Sequence, residues 1–187
     1  MDALSKLRHH LRQQRQSIPP AQRAQFAQKV LSKVRHNLHC QPRQKIALYL
    51  PNDGEIDTQP IINFLKKRAI SIYLPVLFGK KLKFAKLGHT FLKNRFGIDE
   101  PDDTAILSAH QMHTIFIPLV GFDHNKHRLG MGGGFYDRTL TFKQRQGRYQ
   151  HPKLYGLAFD CQQVACLKAQ PWDIPLNKII TPTTIYQ

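Results

Sequence analysis

Acidic residues, paired cysteines and long apolar runs are what this chain has little of, and each shortage removes a class of protein. No apolar stretch approaches the roughly 20 residues a membrane helix needs, and the N-terminus is polar and basic, without the apolar centre of a secretory signal. A cytoplasmic protein with no membrane partner is the expectation. The cysteines, Cys40, Cys161 and Cys166, are three in number and contain no Cys-x-x-Cys pair, so neither a disulfide framework nor a zinc site is expected. Twelve Asp and Glu stand against 28 Lys and Arg, a formal charge of +16 over 187 residues, which calls for an anionic partner. Nucleic acid would gain affinity from such a charge through counterion release. Yet the basic residues are spread along the chain and no RNA-binding signature with interleaved aromatics occurs, so nucleic acid is not the expected partner. Small polyanionic substrates would be steered by the same field. Internal repeats and low-complexity segments are also missing. With 41% hydrophobic residues, the length fits one domain, residues 1–187, with a sizeable core, and a monomer is expected.

Hydrophobic periodicity predicts an α/β chain with a mainly parallel sheet covered by helices on both faces. Leu4, Leu7 and Leu11 recur at helical spacing over residues 4–16, with Arg8, Arg12 and Arg15 on an adjoining face. After Ser17-Ile-Pro-Pro, a second helix is predicted over 20–38. Strands are predicted over Lys45 to Leu50, Ile70 to Val76, Leu82 to Leu87, Thr114 to Val120, Leu154 to Phe159 and Lys178 to Ile185, the last interrupted by Pro182. Helices are predicted over Gln59 to Ala69 and Asp160 to Ala169. Phe91 to Pro101 has neither period and reads as an ordered loop, Tyr149 to His151 reads as a connection, and the histidines at 110, 113, 124 and 127 read as surface residues.

The informative stretch is Arg-Leu-Gly-Met-Gly-Gly-Gly-Phe-Tyr-Asp-Arg, residues 128–138, between the Thr114 strand and a helix expected from Phe135 to Phe142. Strand, glycine-rich turn, helix is the layout of an anion site: without Cβ atoms the backbone can turn tightly and a phosphate can approach its N–H groups. It is not a Walker loop, because no Gly-Lys-Ser or Gly-Lys-Thr closes it, and Phe135 stands where a dinucleotide fingerprint needs its last glycine. Arg128 and Arg138 bracket the turn with donors suited to phosphate oxygens, and Asp137 supplies a hard oxygen for a magnesium ion. Glu55 follows the turn at the carboxyl end of the first strand, where open α/β sheets place ligands. Phe96 and Glu100 are further substrate candidates.

These residues resemble a known family. The block from Arg128 to Asp137 is similar to the signature of the 5-formyltetrahydrofolate cyclo-ligases in their bacterial form. So are Leu7-Arg8, Glu55-Ile56-Asp57-Thr58, Ile117-Pro118, Gly121-Phe122-Asp123 and Ile180-Thr181-Pro182, so the resemblance spans nearly the whole chain. It implies an ATP-dependent ligase that closes 5-formyltetrahydrofolate to 5,10-methenyltetrahydrofolate, with ATP as co-substrate and Mg2+. It further implies that Lys6, Arg8 and the loop Arg128, Leu129, Gly130, Met131, Gly132, Gly133, Gly134, Phe135 and Tyr136 hold ATP. Folate would meet Leu50, Glu55, Met131, Gly132, Gly133, Gly134 and Phe135. Asp137 would hold the metal, and Arg138 with Arg128 would stabilise the transferring phosphoryl group. Asn177 stands where some members carry an aspartate near the metal. The alternative is a basic RNA- or ribosome-associated binding module, which would bind RNA with steep salt dependence and would not bind ATP.

Overall fold

The computed structural model describes residues 2–38, 40–103, 105–144 and 151–187. Twelve strands are present among them: β1 (Lys45–Ala47), β2 (Ser71–Phe78), β3 (Lys81–Lys86), β4 (Phe91–Lys93), β5 (Asp99–Pro101), β6 (Ile106–Leu107), β7 (Thr114–Pro118), β8 (Gly121–Phe122), β9 (Arg128–Leu129), β10 (Lys153–Leu157), β11 (Lys178–Ile180) and β12 (Ile185–Tyr186). Eight of them form one sheet in the order β12-β11-β10-β7-β1-β2-β3-β6. The five central strands, β11 to β2 in that order, pair in parallel, and the flanking pairs are antiparallel. The predicted mainly parallel sheet is therefore observed.

Side-chain alternation along the strands divides the core in two, as a pleated sheet with period 2 must. Ile46, Ile72, Leu74 and Phe116 face one cluster, sealed by Val30 and Val34 of α2 (Pro20–Asn37) and by Ile61 and Leu65 of α3 (Gln59–Lys66). Ala47, Tyr73, Ile115 and Ile117 face the other, closed by Leu140 of the short α4 (Phe135–Leu140), by Ala109 of a single 3-10 turn, and by Ile174 and Leu176. Long helices thus cover one face, and short elements cover the other.

From β1 the chain continues through α3 to β2 on one side, whereas from β7 it continues to β10 on the other. The crevice beyond the carboxyl ends of β1 and β7 is thus the point where the connections diverge, the usual ligand position of open α/β sheets. The first helix, α1 (Ala3–Gln16), lies over it. Arg15 fills the crevice from above and is fully buried. Its Nε donates to the Asp53 carbonyl (2.9 Å), its Nη1 to the Leu119 carbonyl (3.2 Å) and its Nη2 to Asp53 Oδ2 (2.7 Å). One guanidinium thereby ties α1 to the segments leaving both strands.

Several sequence expectations need correction. Phe91 to Pro101 is a hairpin of β4 and β5, not a loop. Its turn is organised by Asn94, whose Oδ1 accepts from the amides of Phe96 (2.8 Å) and Ile98 (3.1 Å), and by Gly97 at φ 72°. No helix spans Asp160 to Ala169: only Asp160–Gln162 form a 3-10 turn. There the side chain of buried Gln162 takes the carbonyls of Leu119 (2.8 Å) and Val120 (2.9 Å) and the Phe159 amide (2.8 Å), so tertiary partners replace an i to i+4 ladder. The last predicted strand is two short ones, β11 and β12, folded back at Pro182. The stretch before the glycine turn contributes β8, paired with β9. Tyr149 and Gln150 of the connection expected at 149–151 lie outside the described residues.

Candidate active site

A cavity of about 750 Å³ opens at this crevice. α1 turns one face toward it: Leu4, Arg8 and Arg15 all line it, with Leu11 buried on the same side. At 3.6 residues per turn these positions share a stripe, and Lys6 falls off it. Lys6 is exposed and does not line the cavity. Arg8 is well placed. Its Nε donates to the Gly130 carbonyl at 2.9 Å, which lays its guanidinium along the glycine turn, 3.7 Å from where a side chain at Gly132 would begin.

The turn itself, Gly130 to Gly134, forms a wall of the cavity together with Leu129, Phe135, Tyr136 and Asp137. Gly132 (φ 94°) and Gly134 (φ 62°) adopt left-handed backbone that a side chain would strain. A Cβ on Gly134 would lie 2.6 Å from Arg138 Nη1, whereas a Cβ on Gly130 would meet nothing within 4 Å. Two glycine substitutions therefore test different things. Gly134→Ala should cost roughly 1–2 kcal/mol of stability through its backbone alone. Gly130→Ala should leave the melting temperature unchanged and weaken phosphate binding, because its methyl group would occupy space that only a ligand needs. Thermal melts and nucleotide titrations of the two variants check this.

Arg128 donates to the Ile174 carbonyl and forms an ion pair with Asp137. Arg138 departs from expectation: it lies outside the cavity lining, where its Nε donates to the Lys80 carbonyl (2.7 Å) and its Nη2 to the Gly133 carbonyl. It braces the turn from behind. Phe135 meets Phe96 from the hairpin edge to face at 5.8 Å, and the Arg95 guanidinium lies over both rings, 5.0 Å from Phe96 and 5.8 Å from Phe135. Glu100 lines the cavity, but its Oε1 is held by the Leu77 amide (2.9 Å) and Asn94 Nδ2 (2.8 Å).

Opposite the turn, Leu50 and Glu55 line the cavity beside Tyr49 and Asn52. Burial is the largest influence on the Glu55 carboxyl and raises it to about 7; the Asn52 amide (3.0 Å) and Arg15 (3.9 Å) pull the other way, and Asp53 adds to the rise. Burial also pushes the Tyr136 and Tyr49 hydroxyls upward. The Asp53 carboxyl is held low, first by its bond to Arg12 (2.6 Å) and, against the cost of burial, by Arg15 as well.

Sequence reasoning missed three features. Arg15 was legible only as one arginine among several on α1. Asp123 is fully buried and accepts from the amides of His127 (3.1 Å) and Leu167 (3.0 Å), with the His127 ring at 3.0 Å. Burial would raise its carboxyl, yet these partners hold it below its ordinary value. His127, expected at the surface, is thereby half-buried and lines the cavity, and His113 is half-buried too, its Nδ1 accepting from the Lys45 amide at 3.1 Å. The third feature is the strap from Leu167 to Asp173, which replaces the expected end of a helix and forms one side of the cavity. Asn177 lies elsewhere: its Oδ1 accepts from the Leu154 amide (2.7 Å), joining β10 and β11, and it does not line the cavity.

The sequence pattern of the 5-formyltetrahydrofolate cyclo-ligase family matches residues 1–182. The chain belongs to that family. Among its cyclo-ligase relatives, the 5-formyltetrahydrofolate cyclo-ligase of Escherichia coli is 36% identical over 186 residues, covering 95% of this chain and 99% of that protein. That of Haemophilus influenzae is 38% identical over 182 residues, covering 94% and 95%. Among solved structures, the 5,10-methenyltetrahydrofolate synthetase of Aquifex aeolicus superposes with a TM-score of 0.84 at 26% identity, covering 100% of this chain and 93% of that one. The synthetase of Mycoplasma pneumoniae gives a TM-score of 0.76 at 28% identity, with 97% and 99% covered. The cyclo-ligase fold is thus shared from end to end. Among the described residues, no helix of this family member is long and apolar enough to cross a membrane.

Proposed function

We propose that the protein closes 5-formyltetrahydrofolate to 5,10-methenyltetrahydrofolate, converting ATP to ADP and phosphate. The observation that carries this reading is the convergence in one cavity of a glycine-rich turn, Arg8 and Arg128, Asp137 and the largely buried carboxyl group of Glu55. An N-formyl group is an amide, so its carbon is a poor electrophile and its oxygen a poor leaving group. Transfer of the γ-phosphoryl group to the formyl oxygen cures both faults. The nitrogen at position 10 then attacks the activated carbon, loses its proton, and phosphate departs.

Phosphoryl transfer needs positioning and charge neutralisation more than a protein nucleophile. The amides from Gly130 to Gly134 would cradle the triphosphate, with Arg8 and Arg128 neutralising its charge. Arg138 would act through the turn that it braces at Gly133. Glu55, when ionised, accepts from the amino and ring N–H donors of the pterin, whose face lies against Leu50.

Asp137 is the carboxylate that would hold magnesium. Among the described residues no group of three or more His, Cys, Asp and Glu is arranged for a metal. Mg2+ is commonly held by one or two carboxylates plus substrate phosphates, so Asp137 beside the turn fits that pattern. There the ion would neutralise charge on the phosphoryl oxygens. The test is spectrophotometric: 5-formyltetrahydrofolate, ATP and Mg2+ should generate the methenyl chromophore with one ADP per ring closed, and ATP binding without the chromophore would refute the proposal.

A further inference from the structure

The segment from Leu167 to Ile174 carries no helix or strand, yet it is pinned at both ends to the site. The Leu167 amide donates to buried Asp123 at 3.0 Å, and Arg128 donates to the Ile174 carbonyl. Between them the Asp173 amide donates to the Gln170 carbonyl (3.0 Å) and the Gln170 amide to Asp173 Oδ2 (2.8 Å), while Gln144 Nε2 holds the Pro171 carbonyl at 3.1 Å. Trp172 rides on this braced turn. It lines the cavity and is 59% exposed. An indole left in solvent forfeits most of the burial that makes tryptophan valuable to a fold. Leu4 (43%) and Met131 (56%) line the same cavity and are likewise exposed.

Sheet order indicates which ring this wall receives. The glycine turn follows β7; Glu55 follows β1, on the side toward β2, whereas the strap lies between β10 and β11, on the other side of β7. In a direct phosphoryl transfer the γ end of the nucleotide must meet the formyl oxygen, so the nucleoside has to trail away from the pterin. With the pterin at Glu55 and the triphosphate on the turn, the nucleoside heads toward the strap. We propose that Trp172 is the stacking platform for the base of the nucleotide, with Leu4 and Met131 supplying the remaining apolar wall. This inference rests on the reading of ATP as co-substrate. Arg128 links the two functions, since it bonds the strap at Ile174 and stands at the mouth of the phosphate turn.

The chain has one tryptophan, so its emission reports on this position alone. ADP should change that emission saturably. Inorganic tripolyphosphate, which has no base, should compete with ADP while leaving the emission unchanged. Trp172→Ala should raise the KM for ATP roughly tenfold, as loss of an aromatic stacking partner does, with the KM for 5-formyltetrahydrofolate held within about twofold. Trp172→Phe, which keeps a ring, should recover most of the loss. An emission indifferent to saturating ADP, or a Trp172→Ala enzyme with the wild-type KM for ATP, would overturn the platform and leave ATP-dependent cyclisation standing. A wild-type protein with no ATP-dependent turnover would remove the underlying reading and the platform together.

Discussion

Replacing Asp137 by alanine is expected to lower kcat about a thousandfold, equivalent to roughly 4 kcal/mol of barrier, a loss typical of removing a ligand from a metal that neutralises phosphoryl charge. The variant should stay folded, because Asp137 is a quarter exposed on the first turn of α4. Asp137 has two roles to separate. Asp137 pairs with Arg128, whose side chain is only 6% exposed, so alanine also strands a guanidinium. Asp137→Asn resolves this. Its amide oxygen can still accept from Arg128, so the melting temperature should remain near wild type, but a neutral oxygen is a poor ligand for a hard dication. Activity should therefore fall nearly as far as in the alanine variant, and half-saturation with Mg2+ should move to much higher concentration. An Asp137→Asn enzyme at the wild-type rate would mean that the residue serves only to hold Arg128.

How far the sequence disclosed this site depended on how local the cause was. The glycine turn was readable because the absence of side chains is itself the chemical feature. Glu55 was readable from its place after a strand. Arg15 was not: its partners at Asp53 and Leu119 lie 38 and 104 residues away, and nothing near it in the chain says which arginine of α1 will be buried. The same holds for Arg8, whose contact with Gly130 spans 122 residues and which only family resemblance singles out in the sequence. The strap was misread for a related reason. Residues 160–169 have acceptable helical propensity, but the Gln162 side chain and the Leu167 amide are claimed by Leu119, Val120 and Asp123, so the chain satisfies its polar groups without a helix. Arg138 shows the opposite case. It is expected in the site because it brackets the glycine turn with Arg128, but one step along a helix from Asp137 rotates a side chain by about 100°, and its Nε donates to the Lys80 carbonyl instead.

The second large effect concerns Glu55, where binding and stability should move in opposite directions. Its carboxyl titrates at about 7 because burial disfavours the charge more than the Asn52 amide and Arg15 favour it. Only the ionised form can accept from both pterin donors with its two oxygens, whereas the protonated acid turns an O–H toward one of them, so the KM for 5-formyltetrahydrofolate should rise as pH falls below about 7. Glu55→Gln should raise that KM by tenfold or more, since it leaves buried donors of the substrate poorly matched, and should flatten its dependence on pH. Stability has the reverse sign. The folded-state value lies above the ordinary 4.5, so the contribution of Glu55 is complete below 4.5 and is lost as pH rises through about 7. At about 1.4 kcal/mol per unit the loss reaches up to roughly 3 kcal/mol. Glu55→Gln should accordingly melt higher than wild type at pH 8 and equally at pH 4, while binding folate worse at pH 8. Equal melting temperatures at pH 8 would show that Glu55 carries no buried charge, and an unchanged KM would show that the pterin does not use it.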